Sequence, residues 1–208
     1  DLSLMTANQN IGSEVAKVFL ALMKGETVAE TEHLLVAPNC LQNKILKFID
    51  DEIQKVKNGG SGYVGIKINS LTDKDIIDKL IEASQWGVKI QLIIRGICCL
   101  IPGIEGFTEN ISVVSIVGRY LEHSRIYRFG QGNDEKIYIS SADFMTRNTI
   151  RRVEVAVPIY DEEARSKIKH IFDTCIIDDA KGRELKSSGK YEFRKINENP
   201  VNIEDIEW

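Results

Sequence analysis

The chain of 208 residues holds only four cysteines, three histidines and four prolines, and these scarcities exclude several classes of protein. Cys40, Cys98, Cys99 and Cys175 lack the regular spacing of a disulfide framework, so a reducing, cytoplasmic setting is the simplest expectation. There is no CxxC pair and no Cys/His ligand spacing, and His33, His123 and His170 lie far apart, which argues against structural zinc. No apolar run approaches the roughly 18 residues needed to cross a bilayer, and the start lacks the charged-then-apolar pattern of a signal peptide. Membrane contact is expected to be peripheral at most. Positive charge is not in excess either: 27 Lys and Arg stand against 31 Asp and Glu, a formal net charge of −4. That balance argues against nucleic acid as a partner held by bulk charge, and any anion site must be concentrated locally.

What is present is a globular composition, 43% hydrophobic, of a length that suits one compact domain with a small appendage. The first residue is Asp1 and not Met, so the chain is expected to be processed or a fragment. Residues 10–24 place Ile11, Val15, Val18, Phe19 and Leu22 at helical spacing, predicting an amphipathic helix with one face on a core. HLLVAP (residues 33–38) is a short apolar run stopped by proline, and LQNKILKFIDDEIQKVKNGG is a helical pattern ending at a double glycine. Tyr63–Asn69 reads as a strand, Asp73–Trp86 as a capped helix and Val88–Gly96 as a further strand. This alternation predicts right-handed parallel crossovers with helices packed on a sheet, an α/β fold.

Beyond Gly96 the Gly/Pro-punctuated ICCLIPGIEGFTEN follows a strand's carboxyl end, where open α/β sheets place ligands. Ile111–Gly118 is another strand, SRIYRF and KIYISS form a hairpin around GQGNDE, Val153–Ile159 closes the sheet, and Glu162–Ile177 is a final helix. From Lys181 onward the sequence is polar and weakly patterned: a docked extension or a mobile tail.

Between Val117 and Val155 stand seven basic residues against five acidic ones, net +2 in a chain of −4. Arg119, Arg125, Arg128, Arg147, Arg151 and Arg152 are among them, and arginine's planar fork suits phosphate oxygens. Solvated or salt-bridged surface arginines are the competing reading for each. In EHSRIYRF, His123 and Arg125 alternate on one strand and so share a face, while Ser140, Ser141, Asp143, Arg147 and Asn148 return beyond the turn. An imidazole beside guanidiniums and hydroxyls suits phosphoryl chemistry, although a lone strand histidine is more often structural. Arg95 ends an apolar strand, where a charge needs a ligand or a carboxylate partner. Lys67 and Asn69 could face the same crevice, with surface exposure equally open for Lys67. Cys98 and Cys99 read as loop-packing residues, His33 as a strand-edge residue and His170 as a helix-surface one.

EHSRIYRF with the later Ser pair resembles the His-x-Lys(x4)Asp…Gly-Ser pattern of the phospholipase D superfamily. Arg125 stands in place of Lys, Gly130 in place of Asp and Ser140 in place of Gly. A more specific resemblance spans nearly the whole chain: KINSLTDKDIIDKLIEASQWGVKIQLIIRGICCLIPGIEG, SIVGRYLEHSRIYRFG and YISSADFMTRNTIRRVEVAVPI are similar to the carboxy-terminal domain of the polyphosphate kinase family.

That resemblance implies a phospholipase D-like α/β fold, a mixed sheet flanked by helices. It implies residues 1–30 as the junction from a preceding domain, 31–180 as the C-terminal catalytic domain and 181–208 as a C-terminal extension. It also implies reversible transfer of the terminal phosphate of ATP to inorganic polyphosphate through a phosphohistidine in the preceding domain, with Mg2+ ligands outside this chain and a homo-oligomeric enzyme. The isolated chain is then expected to be inactive. Arg95 and His123 match positions associated with ATP or phosphate, His123 also as general acid/base, and Arg119, Arg125, Arg147, Arg151 and Arg152 match arginines that would guide the polyanion. Against the family pattern, Ile101 replaces a charged arginine, Thr146 a proline and Ile150 a carboxylate, while Phe144 would keep an aromatic platform. The rival expectations are a stand-alone phospholipase D-like phosphodiesterase and a non-catalytic polyphosphate-binding module.

Overall fold

Three strands rich in β-branched residues, β2 (Tyr63–Ile68), β3 (Lys89–Ile94) and β4 (Ile111–Ile116), run parallel at the middle of a nine-stranded sheet. Every residue of β2 is buried, as expected for a strand covered on both faces. The computed structural model describes residues 1–205. The other elements, in chain order, are α1 (Gln9–Met23), β1 (Leu35–Ala37), α2 (Leu41–Lys57) and α3 (Lys74–Gln85), then β5 (Arg125–Phe129), β6 (Lys136–Ser140), α4 (Thr146–Ile150), β7 (Glu154–Pro158), α5 (Glu162–Ile177), β8 (Gly182–Leu185) and β9 (Tyr191–Phe193). The strand order is β1-β7-β6-β5-β2-β3-β4-β8-β9, with antiparallel pairing everywhere outside the three central strands.

Two helical layers follow from side-chain alternation. Ile45 and Ile49 of α2 and Leu80 of α3 pack with Ile66, Leu92, Tyr127 and Phe129 on one face. Ile168, Ile171 and Phe172 of α5 pack with Ile93, Val114, Ile126 and Ile137 on the other. Each such buried aliphatic side chain contributes about 1.5–3 kcal/mol. The β5–β6 hairpin has the expected boundaries: Phe129 pairs with Lys136, and Gly130 and Gly132 take the positive φ values that the turn between them requires.

Two expectations are corrected, and the docked alternative holds for a third. The first strand does not lie next to β2 in a simple crossover; β1 sits at the sheet's far edge, antiparallel to β7, so β1 and not β7 ends the sheet there. The apolar stripe of α1 is only half used. Ile11 and Val18 are buried, but Phe19 and Leu22 are exposed, and the third buried residue is Glu14. Its carboxylate accepts the backbone N–H groups of Glu32, His33 and Leu34, which ties α1 to the chain entering β1 and holds the acid below its ordinary pKa despite the opposing effect of burial. Finally, the polar stretch after Lys181 is docked: β8 pairs with β4, β9 pairs with β8, and buried Asp178 accepts the N–H groups of Lys181, Gly182 and Ile203.

Candidate active site

The carboxyl ends of β2, β3 and β6 and the start of β5 meet at one end of the sheet, bringing together Asn69, Arg95, Asp143, and His123 with Arg125. Asp143 ties these together. Its Oδ1 accepts the backbone N–H of Asn69 at 2.7 Å and Nε of Arg125 at 3.0 Å, and its Oδ2 accepts Nη2 of Arg125 at 3.2 Å. With side chains only 11% and 8% exposed, the Arg125–Asp143 fork is a largely desolvated ion pair.

His123 lies just before β5, its side chain 35% exposed, and opens onto a cavity of about 700 Å3 also lined by Arg125, Ser140 and Ser141. Nη2 of Arg125 is 3.0 Å from its Nε2. A guanidinium only donates, so this contact uses a lone pair on Nε2, while Nδ1 lies 3.4 Å from both Nη1 of Arg125 and Oδ2 of Asp1. Partial burial, then the positive charges of Arg125 and Arg95, hold the imidazole below its ordinary pKa, with Asp143 opposing. Both burial and these cations thus disfavour the imidazolium.

Arg95 has no carboxylate partner among the described residues. It is half-buried, and its Nε and Nη2 both donate to Oδ1 of Asn69 at 2.9 and 2.6 Å. The amide orients the guanidinium without neutralising it, which leaves an uncompensated positive charge beside His123. Lys67 is buried and faces Ser124 and Glu122, so it is neither a surface residue nor open to the cavity. The hydroxyls of Ser140 and Ser141 are engaged internally, with the Val155 carbonyl and with Glu154 respectively.

The remaining arginines divide. Arg119 is exposed, with its guanidinium 5.5 Å from the ring centre of Tyr120. Arg147, Arg151 and Arg152 are exposed on and just after α4, with no ion pair among the described residues and no hydrogen bond to His123. Arg128 is buried on the opposite face, where Glu135 and Asp173 pair with it. It belongs to the scaffold, and two-residue alternation along β5 already separates it from Arg125. Asp73, one of the two cap candidates for this helix together with Thr72, does cap α3, and it also accepts from Gln42 and from the hydroxyl of Thr149, which fixes α4. Phe144 is fully buried against Tyr127, ring centres 4.8 Å apart, and offers no platform to a ligand. Cys98 packs half-buried, but Cys99 is exposed, contrary to its reading as a packing residue. His33 donates to or accepts from the Tyr160 hydroxyl at 2.8 Å, and His170 is on the surface of α5.

Residues 34–203 match the family described as polyphosphate kinase C-terminal domain 2. The chain is 48% identical over 202 residues to a polyphosphate kinase of Staphylococcus haemolyticus, covering 97% of this chain and 28% of that protein. It is 47% identical over 193 residues to one of Bacillus anthracis, covering 93% of this chain and 28% of that protein. The crystal structure of polyphosphate kinase from Porphyromonas gingivalis aligns with a TM-score of 0.89 at 39% identity, over 96% of this chain and 31% of that one. Nuc, a phospholipase D family member from Salmonella typhimurium, aligns with a TM-score of 0.53 at 17% identity, over 74% of this chain and 97% of that one, a likeness of fold alone. The chain therefore spans less than a third of the length of these polyphosphate kinase relatives.

Proposed function

The chain belongs to the family of the polyphosphate kinase C-terminal domain, and we propose that it supplies one half of a phosphotransfer site that moves the terminal phosphate of ATP, reversibly, to inorganic polyphosphate. The observation that carries this reading is the imidazole of His123, disfavoured as a cation by the charges of Arg125 and Arg95, on the wall of an open cavity that Arg125 also lines. A phosphoryl group in transfer spreads negative charge over its equatorial oxygens, and preoriented guanidiniums stabilise that charge without reorganising.

In this reading Arg95, turned by Asn69, binds phosphate oxygens through its remaining N–H groups. His123 takes or gives a proton through its imidazole opposite a phosphohistidine contributed by the preceding domain. Arg125 holds the ring and the Asp143 segment together, and the exposed Arg119, Arg147, Arg151 and Arg152 guide the polyanion toward the site. Among the described residues no three His, Cys, Asp or Glu side chains converge to hold a metal ion. Magnesium in this scheme arrives with the nucleotide, held by its phosphates and by residues outside this chain, and none of the steps above depends on it. The partner half comes from the rest of the polypeptide, in a homo-oligomeric enzyme.

The test is elongation of a polyphosphate primer from ATP by the complete enzyme. Hydrolysis of a generic phosphodiester by the isolated chain would favour a phospholipase D-like hydrolase instead. Salt-dependent polyphosphate binding by the complete enzyme, without turnover, would favour a binding module.

A further inference from the structure

His123 sits in a stretch, residues 117–124, that has neither helix nor strand and joins β4 to β5. Tyr120 and Leu121 within it are exposed, so packing does not fix the segment. Two charged side chains from elsewhere in the fold do. Lys67, buried in β2, directs Nζ at the Ser124 carbonyl (3.0 Å), the Ser124 hydroxyl (2.8 Å) and Oε2 of Glu122 (3.4 Å), the residues on either side of His123. An ammonium has three N–H donors, and here three acceptors meet it. Burying that charge in a central strand is costly unless its contacts are complete, and all of them are spent on the two neighbours of one histidine.

The second grip comes from the end of the described chain. Ile203, in the one-turn helix Ile203–Asp205, is buried in the α5-side core and hydrogen-bonded through its N–H to buried Asp178. That anchorage presents Glu204, whose Oε1 accepts the N–H of Tyr120 at 2.9 Å. The same carboxylate lies so close over Gly118 that a side chain there would meet it at 2.3 Å.

We propose that Lys67 and Glu204 are positioning residues that clamp the 117–124 segment at both ends and so set the place of His123 and Arg119. The functional half of this proposal rests on the phosphotransfer reading above; the clamp itself does not. It also gives the C-terminal extension a task, since Glu204 reaches the site segment only because Asp178 and Ile203 dock it.

The experiment uses the complete enzyme with Lys67→Met, Glu204→Ala and Glu204→Gln, the last keeping a carbonyl oxygen for the Tyr120 N–H. Amide hydrogen exchange by mass spectrometry reads the segment directly. Exchange across 117–124 should quicken about tenfold or more in Lys67→Met and Glu204→Ala, while β2 and β3 stay protected. The kcat for polyphosphate synthesis should fall about 10- to 100-fold with little change in KM for ATP, and Glu204→Gln should recover most of it. If Lys67→Met does not fold, the Glu204 pair carries the same comparison. Unchanged exchange, or Glu204→Gln as impaired as Glu204→Ala, overturns the clamp. Faster exchange with undiminished kcat overturns its service to catalysis. A His123→Ala control that is itself fully active would then place the failure in the phosphotransfer reading and not in the clamp.

Discussion

Nη2 of Arg125 lies 3.0 Å from Nε2 of His123 while Nε of the same guanidinium lies 3.0 Å from Oδ1 of Asp143. One side chain thereby joins the His123 ring to the segment leading into α4. A lysine, which fills this position in the phospholipase D pattern, has a single nitrogen and could not span both. Arg125→Lys is expected to keep the charge yet lose this geometry, lowering turnover more than ATP affinity. Arg125→Met should also destabilise the fold by about 3 kcal/mol, because it leaves the buried carboxylate of Asp143 short of its partner. Thermal unfolding together with steady-state kinetics checks both.

The pH profile carries a sign. His123 is held below its ordinary pKa by burial and by the charges of Arg125 and Arg95. The acid limb of kcat/KM should therefore lie below about 6.5, the ordinary imidazole value. Arg95→Gln removes one of the two cations, so the limb should move to higher pH. Stability follows the same linkage: the folded state disfavours the imidazolium, so this group's contribution is present above about pH 6.5 and is lost as the pH falls below it.

Arg95→Ala is expected to weaken ATP binding by about 1.5–3 kcal/mol, the worth of a charge-assisted contact. Asn69→Ala leaves the guanidinium in place but unoriented, and should produce a smaller loss in the same direction. Titration of nucleotide binding to the complete enzyme measures the two.

The exposed arginines Arg147, Arg151 and Arg152 are unpaired among the described residues and the buried Arg128 is paired twice, so they should separate experimentally. Replacing the three by Gln should weaken polyphosphate binding most at low salt and flatten its salt dependence, with thermal stability unchanged. Arg128→Met should do the reverse. It costs about 3 kcal/mol of stability by leaving buried Glu135 with Lys169 as its one remaining cation among the described residues, and leaves the salt dependence as it was.

Asp73 gives a fourth separation. Asp73→Ala removes the α3 cap and the acceptor of the buried Thr149 hydroxyl, and should cost about 2 kcal/mol. Thr149→Val loses only the second contact and should cost less. Since Thr149 fixes α4, both should raise KM for polyphosphate through Arg147 and Arg151, which kinetics with a fixed ATP concentration would reveal.

Much of this was readable from sequence, and the reasons are specific. Periodicity located the central strands and the helices covering them because burial on both faces leaves a continuous apolar run. Spacing across the hairpin returned Ser140 to the partner strand, and the register sets it opposite Arg125. Other features depend on which distant segment arrives next to a residue. Lys67 in YVGIKIN carries no local sign of meeting Glu122 and Ser124, and Glu204 none of reaching Tyr120. Phe144 and Arg128 were both open to a ligand role by composition. Only the packing of Tyr127 on one face and of α5 on the other turns them into scaffold. Glu14 was legible in retrospect, since it lies three residues after Ile11 and four before Val18 on the buried face of α1.

The most direct measurement is the kcat of His123→Ala in the complete enzyme, assayed for ATP-dependent polyphosphate synthesis beside the wild type at equal folded concentration. If the imidazole held by Arg125 moves the proton in phosphotransfer, kcat should fall by about 10²-fold or more. Turnover near the wild-type value would show that the reaction does not pass through His123.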